Sequence, residues 1–177
     1  MTHWFTADTH FGHASILKHE PNRPGKNVEE HDEILIRNWN SIVKNGDIVH
    51  HAGDFAWHSA DLYLKRLNGQ VHLTNGNHDR LTSEQRSLFA SVNDISKVKV
   101  GEQLIYLCHY AMRVWNRSHY GSWMLYGHSH GSLPDDPSAL SIDVGVDCHN
   151  YRPISYEEIV EIMRKKVYVP KDHHSPR

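Results

Sequence analysis

Gly127-His128-Ser129-His130 follows the apolar run Trp123-Met124-Leu125-Tyr126 and is the stretch of this chain best placed to do chemistry. In an extended backbone residues i and i+2 point to the same side, so the imidazoles of His128 and His130 can converge at a strand end. Gly127, Ser129 and Gly131 leave room for other groups to approach. Neutral imidazole is the commonest metal ligand, so a metal site is the sharp expectation. A lone His-x-His is more often two polar residues in a turn. The company these two keep decides between the readings.

Four further apolar runs end on groups of the same kind. Residues 3–7 end at Asp8-Thr9-His10, 48–52 at Gly53-Asp54, 70–74 at Asn75-Gly76-Asn77-His78-Asp79, and 104–107 at Cys108-His109. Asp-x-His alone is weak, because Asp147-Cys148-His149 and Asp172-His173-His174 share its spacing. Position separates the first copy, which lies where a strand runs out and open α/β sheets bind ligands. Position also separates Asp54, after its strand, from Asp47, a turn residue before it. Convergent oxygen and imidazole groups at five strand ends define a site.

Asp-x-His, Gly-Asp, Gly-Asn-His-Asp, a strand-terminal His and Gly-His-x-His run in that order from Asp8 to His130. In this the chain resembles the calcineurin-like metallophosphoesterase superfamily, and its length resembles the small single-domain bacterial and phage members. The resemblance implies an α/β fold, a four-layer α/β/β/α sandwich with a dinuclear metal centre between sheet ends. It implies that Asp8, His10 and His130 hold one metal and that Asn77, His109 and His128 hold the other, with Asp54 bridging. It further implies that His78 sits beside the phosphate without binding metal, as acid or phosphate-stabilising group, oriented by Asp79. Carboxylate, amide oxygen and imidazole suit Mn²⁺ first, and also Fe, Zn²⁺, Ni²⁺ or Mg²⁺; no thiolate demands a soft ion. Two such ions about 3.5–4 Å apart lower the pKa of a bridging water, whose hydroxide attacks phosphorus in line.

Substrate contacts are less marked. After Gly-Asp many relatives carry an Asp or Arg, whereas Phe55-Ala56-Trp57 follow here. His13 and Arg23, in the loop after Asp8, and Arg113, after His109, are candidate phosphate contacts; for His13 and Arg23 a loop-bracing or solvated role is the stronger reading, and for Arg113 pairing with a surface Asp is at least its equal. Trp115 and Trp123 could stack a base, but core packing is the stronger expectation. His50, His51 and His58 read as strand or loop residues, since the ligand set is full without them.

The elements that must position these groups have their own signals. Apolar residues recur at helical spacing over 28–44, ahead of Asn45-Gly46. A short helix is expected at 14–18, and one at 60–67 capped by Ser59 and stopped by Asn68-Gly69. Thr82 with Gln85 and Ser155 with Glu158 form capping boxes for helices over 82–89 and 156–166. Residues 98–100 and 104–107 flank Gly101-Glu102-Gln103 as an antiparallel hairpin, and 140–146 form a further strand. The chain has 177 residues, and one domain over 1–169 with a frayed tail at 170–177 is expected.

Charge and composition set the remaining bounds. A net charge of -2 gives no general attraction for long nucleic acid, without ruling out a local patch. The partner expected is a phosphate-ester substrate, either a small molecule or a nucleotide. No apolar run approaches the ~18 residues of a membrane span. Two cysteines without a paired motif fit a reducing compartment, and no basic-then-apolar leader is seen, so the cytoplasm is expected. A metal-dependent phosphoesterase follows, a diesterase ahead of a monoesterase. The rivals are a nuclease acting on DNA or RNA and a non-catalytic scaffold, which should have lost ligands where none is missing.

Overall fold

A computed structural model describes residues 1–171. Its strands are β1 (His3–Thr6), β2 (Ile48–His51), β3 (Gln70–Thr74), β4 (Ser91–Asn93), β5 (Ser96–Val100), β6 (Gln103–Leu107), β7 (Trp123–Tyr126), β8 (Ser141–Asp143) and β9 (Ile154–Ser155). Its helices are α1 (Ile16–His19), α2 (Val28–Ile42), α3 (Ala60–Leu64), α4 (Ser83–Arg86) and α5 (Tyr156–Met163). The first sheet has the order β4-β3-β2-β1-β9, the second β5-β6-β7-β8. Strands β1 to β4 pair in parallel, each joined to the next through helical segments, while β9 lies antiparallel on β1. In the second sheet β5 and β6 form the expected hairpin, and β6, β7 and β8 run parallel.

Helix α2 starts where Asn27 accepts the Glu30 amide at 2.8 Å, with Glu29 and Glu30 favouring the positive end of the helix dipole. Its apolar face buries Leu35, Ile36 and Trp39 with Val49, Val71 and Leu73 of the first sheet. Burying a side chain of this size contributes about 1.5–3 kcal/mol. A second core lies between the sheets, where Phe5, Ile105, Leu107, Leu125 and Ile142 meet Ile159 and Met163 of α5. Tyr106, Met124 and Tyr126 pack on the far side of the second sheet against Met112 and Trp115. That outer layer comes from residues 108–122, with one 3-10 turn at Ser118–Tyr120. Two sheets with flanking helices are the expected sandwich.

Several boundaries differ from the sequence reading. Helix α2 stops at Ile42 because Val43 is already extended (φ -80°, ψ 134°). Ser59 has φ 51° and its side chain caps nothing, and α3 ends at Leu64. Both capping boxes are present, though α4 ends at Arg86 and α5 at Met163. Strand β8 ends early because Gly145 leaves it to bridge Ala7 of the first sheet. Of the tail, residues 172–177 lie outside the described residues. No helix among the described residues is long and apolar enough to cross a membrane.

Candidate metal and phosphate site

The carboxyl ends of β1, β2, β3, β6 and β7 converge, and their loops hold one another in place. The segments after β1 and β2 go on pairing beyond the strands: Asp8 N–H donates to Gly53 O at 2.9 Å, His10 to Asp54 O at 2.9 Å and Phe11 to Phe55 O at 3.0 Å. Asp8, His10, Asp54, His128 and His130 have φ of 58°, 50°, 57°, 68° and 47°. Five of the seven expected ligands are thus left-handed, a conformation costing on the order of 1–3 kcal/mol per non-glycine residue. Such strain persists where the surroundings over-determine it, and it collects at functional sites. Glycine makes the close approach possible. A Cβ on Gly76 would fall 2.2 Å from Asp54 Oδ1, and one on Gly127 2.6 Å from Asp8 Oδ2.

The ligand atoms fall into two adjoining groups. Asp8, His10 and His130 each bring one atom within 4.8 Å of the others, and so do Asp54, His109 and His128. Asp54 joins them, its Oδ2 lying 3.5 Å from His10 Nε2 and 3.3 Å from His109 Nε2. Asn77 Oδ1 lies 2.9 Å from His109 Nε2 and 3.1 Å from His128 Nδ1. His109 donates Nδ1–H to the Ala52 carbonyl at 2.9 Å, so a neutral ring turns its Nε2 lone pair toward Asn77 and Asp54. His10 Nε2 is buried without a hydrogen-bond partner. Acceptors facing acceptors in a buried site call for a positive charge among them, and this donor set fits divalent metal ions.

The electrostatics agree. Burial pushes Asp8 up to about 7, against the pull of His130 and His109. Burial pushes His10 down to about 2, which keeps its lone pair free. Burial would raise Asp54 as well, but without a metal a proton on His109, which Asp54 itself favours, and the His78 amide hold it well below the usual carboxylate range; a bound cation would take that proton's place and leave His109 neutral. His78 belongs to neither group. Its N–H donates to Asp54 Oδ1 at 2.9 Å, and its ring lies 5.6 Å from that of His10.

Three sequence expectations change. Asp79 spends its carboxylate on backbone amides, Oδ2 accepting from Asp54 (2.8 Å) and Gly76 (2.8 Å) and Oδ1 from Phe55 (2.9 Å). It clamps the loops after β2 and β3 together instead of orienting the His78 ring. Arg23 is not an open phosphate contact. It is buried, forks onto Asp147 through Nε (2.8 Å) and Nη2 (2.5 Å), and donates to the carbonyls of Asp8 and Thr9. Arg113 is exposed in a depression with Met112, Leu133 and Lys171 whose lining includes none of the seven ligands. His13 does reach the site, its Nδ1 lying 3.4 Å from that of His10.

Asp147 is the residue that sequence reasoning passed over. Its Oδ2 takes the His130 Nδ1 at 2.8 Å, which leaves Nε2 of that ring for a metal. Burial opposes the ionised form, yet His130 and Arg23 hold Asp147 down to about 2. As expected, Trp115 packs on the outer core and Trp123 is buried. His50 and His51 lie in β2, and His58 in the loop beyond it.

A two-sheet α/β sandwich with paired oxygen and imidazole groups at its parallel strand ends defines a class of metal-dependent hydrolase folds. The calcineurin-like phosphoesterase superfamily domain matches residues 1–144, and the chain belongs to that family. It is therefore a phosphoesterase by class. It is 33% identical over 172 residues to an uncharacterized protein of Methanocaldococcus jannaschii, covering 92% of this chain and 91% of the relative. It is 26% identical over 195 residues to the gene 66 protein of Mycobacterium phage L5, covering 90% and 93%. Among solved structures it is similar in fold to a protein of unknown function from Aquifex aeolicus, with a TM-score of 0.71 and 24% identity over 91% of this chain and 98% of that one.

Proposed function

We propose that this protein hydrolyses a phosphodiester at a pair of divalent metal ions, Mn²⁺ first among the candidates. Asp8, His10 and His130 would hold one ion, Asn77, His109 and His128 the other, and Asp54 both. The observation that carries this reading is the set of buried lone pairs facing one another, with His10 Nε2 left without a partner. When bound, the ions supply charge neutralisation of the phosphoryl group and an acidified water. The chain supplies the rest. Asp147 and Arg23 fix the His130 ring, Asp79 ties the loops bearing Asp54 and Asn77, and His78 stands where it can protonate the leaving alkoxide or hydrogen-bond a phosphoryl oxygen.

A diester is favoured over a monoester by charge. A monoester dianion profits from an additional guanidinium, and Arg23, the arginine that touches the ligand groups, is already committed to Asp147. Cys108 and Cys148 are free thiols, and a cytoplasmic setting belongs to the same proposal. The test is a hydrolysis screen over metals with bis-p-nitrophenyl phosphate, p-nitrophenyl phosphate, cyclic nucleotides and single-stranded nucleic acid. Metal-dependent turnover of the diester above the monoester is expected. No turnover of any ester with any metal would end the proposal.

A further inference from the structure

Trp57 is the tryptophan that the fold does not use. Trp39 and Trp123 are buried, and Trp4 and Trp115 pack on apolar clusters while donating their indole N–H groups to Asp47 and Ser122. Trp57 joins none of the three clusters and keeps 37% of its surface exposed. Its backbone is fixed all the same. Its N–H donates to Phe11 O at 2.9 Å, beside the bridge between Phe11 and Ala56. The indole lies flat on the His13 ring, with centroids 4.1 Å apart and planes 8° apart. The His78 ring is 5.1 Å from it, tilted by 42°.

An exposed indole held rigidly beside a phosphate-facing histidine gains nothing from core packing. What it offers is an aromatic surface beside His78. Such a surface suits a nucleobase, since stacking on an aromatic side chain works for every base. On the other flank half-exposed Tyr110 meets His128 edge to face at 4.6 Å and His109 edge to face at 5.2 Å. A cage for a quaternary ammonium would set aromatic faces around a point, whereas the parallel His13–Trp57 pair extends as a stack. We infer that Trp57, backed by His13, is the base-stacking wall of the site and that the phosphoester it takes is a nucleotide. The inference rests on the reading that phosphate sits at the paired donor groups.

Calorimetric titration of the Mn²⁺-loaded protein with adenosine 5′-monophosphate, ribose 5-phosphate and phosphocholine tests it without turnover. Adenosine monophosphate should bind roughly tenfold or more tightly than ribose 5-phosphate, the order that one stacked base contributes. W57A and W57L should bring the two affinities together, and W57F should keep most of the difference. Equal affinities in the wild type, a preference for phosphocholine, or a preference for adenosine monophosphate that survives in W57A would overturn the inference. Failure of every phosphate compound to bind would instead strike the phosphate site itself, and the inference with it.

Discussion

Asp54 does two jobs with one carboxylate. Its Oδ1 takes the His78 amide, and its Oδ2 faces an imidazole from each group of ligands. Asp54→Asn should therefore weaken both metal positions, whereas His10→Ala should mainly empty one. Elemental analysis checks this, and equal loss from the two variants would count against the bridging role. His78→Ala should keep its metals and lose about 10²–10⁴-fold in turnover on an alkyl or nucleotide diester. A nitrophenyl diester needs less help from an acid and should suffer less; equal losses would make His78 an electrostatic group instead. The seven candidate ligands were legible in the sequence because each sits at the end of an apolar run. The pairing of Asp147 with Arg23 was not, since the two meet across 124 positions and no local spacing records it.

The loops, more than the strands, hold the unusual chemistry. Left-handed backbone at Asp8, His10, Asp54, His128 and His130 is only weakly signalled by residue type: aspartate and histidine are enriched there among non-glycine residues, but most copies of either lie elsewhere. The glycines beside them were readable as space, and the structure shows what the space is for. A Cβ at Gly127 would lie 2.5 Å from Ala7 Cβ. Gly127→Ala should thus cost about 1–3 kcal/mol by overpacking and reduce metal at the Asp8 position, read by thermal melting and elemental analysis. Unchanged melting and metal content would mean the loops yield more easily than the packing shows. The helix starts that announced themselves did so through caps, as at Thr82 and Ser155. Strands β4 and β9, three and two residues long, are too short to show alternation and exist through their neighbours.

At the scale of the whole molecule, the pattern of apolar residues made the longer strands and the long helix legible, while the sandwich was implied by the resemblance. The traffic between the sheets, such as the Ala7–Gly145 bridge, was not legible. A ladder of histidines across the first sheet gives a global prediction. His50 stacks between His3 (5.3 Å) and His72 (5.3 Å), with its Nε2 3.0 Å from His3 Nδ1. Burial, then the charges of His72 and His3, push His50 down to about 3. The unfolded chain, with an ordinary histidine near ~6.5, binds the extra proton between those values, so stability falls as pH drops through that window. This group alone should contribute about 1.4 kcal/mol per pH unit. Urea unfolding of wild type and His50→Gln from pH 7 to pH 5 should show a shallower decline in the variant; parallel curves would refute the assignment.

On the proposed reading, the strand ends of the two sheets hold two metal ions with Asp54 between them. Anomalous diffraction from crystals grown with Mn²⁺ tests it most directly. Two peaks about 3.5–4 Å apart are expected, one ringed by Asp8, His10 and His130, the other by Asn77, His109 and His128, and both touching Asp54. A single peak at saturating Mn²⁺, or two peaks that do not share Asp54, would contradict it.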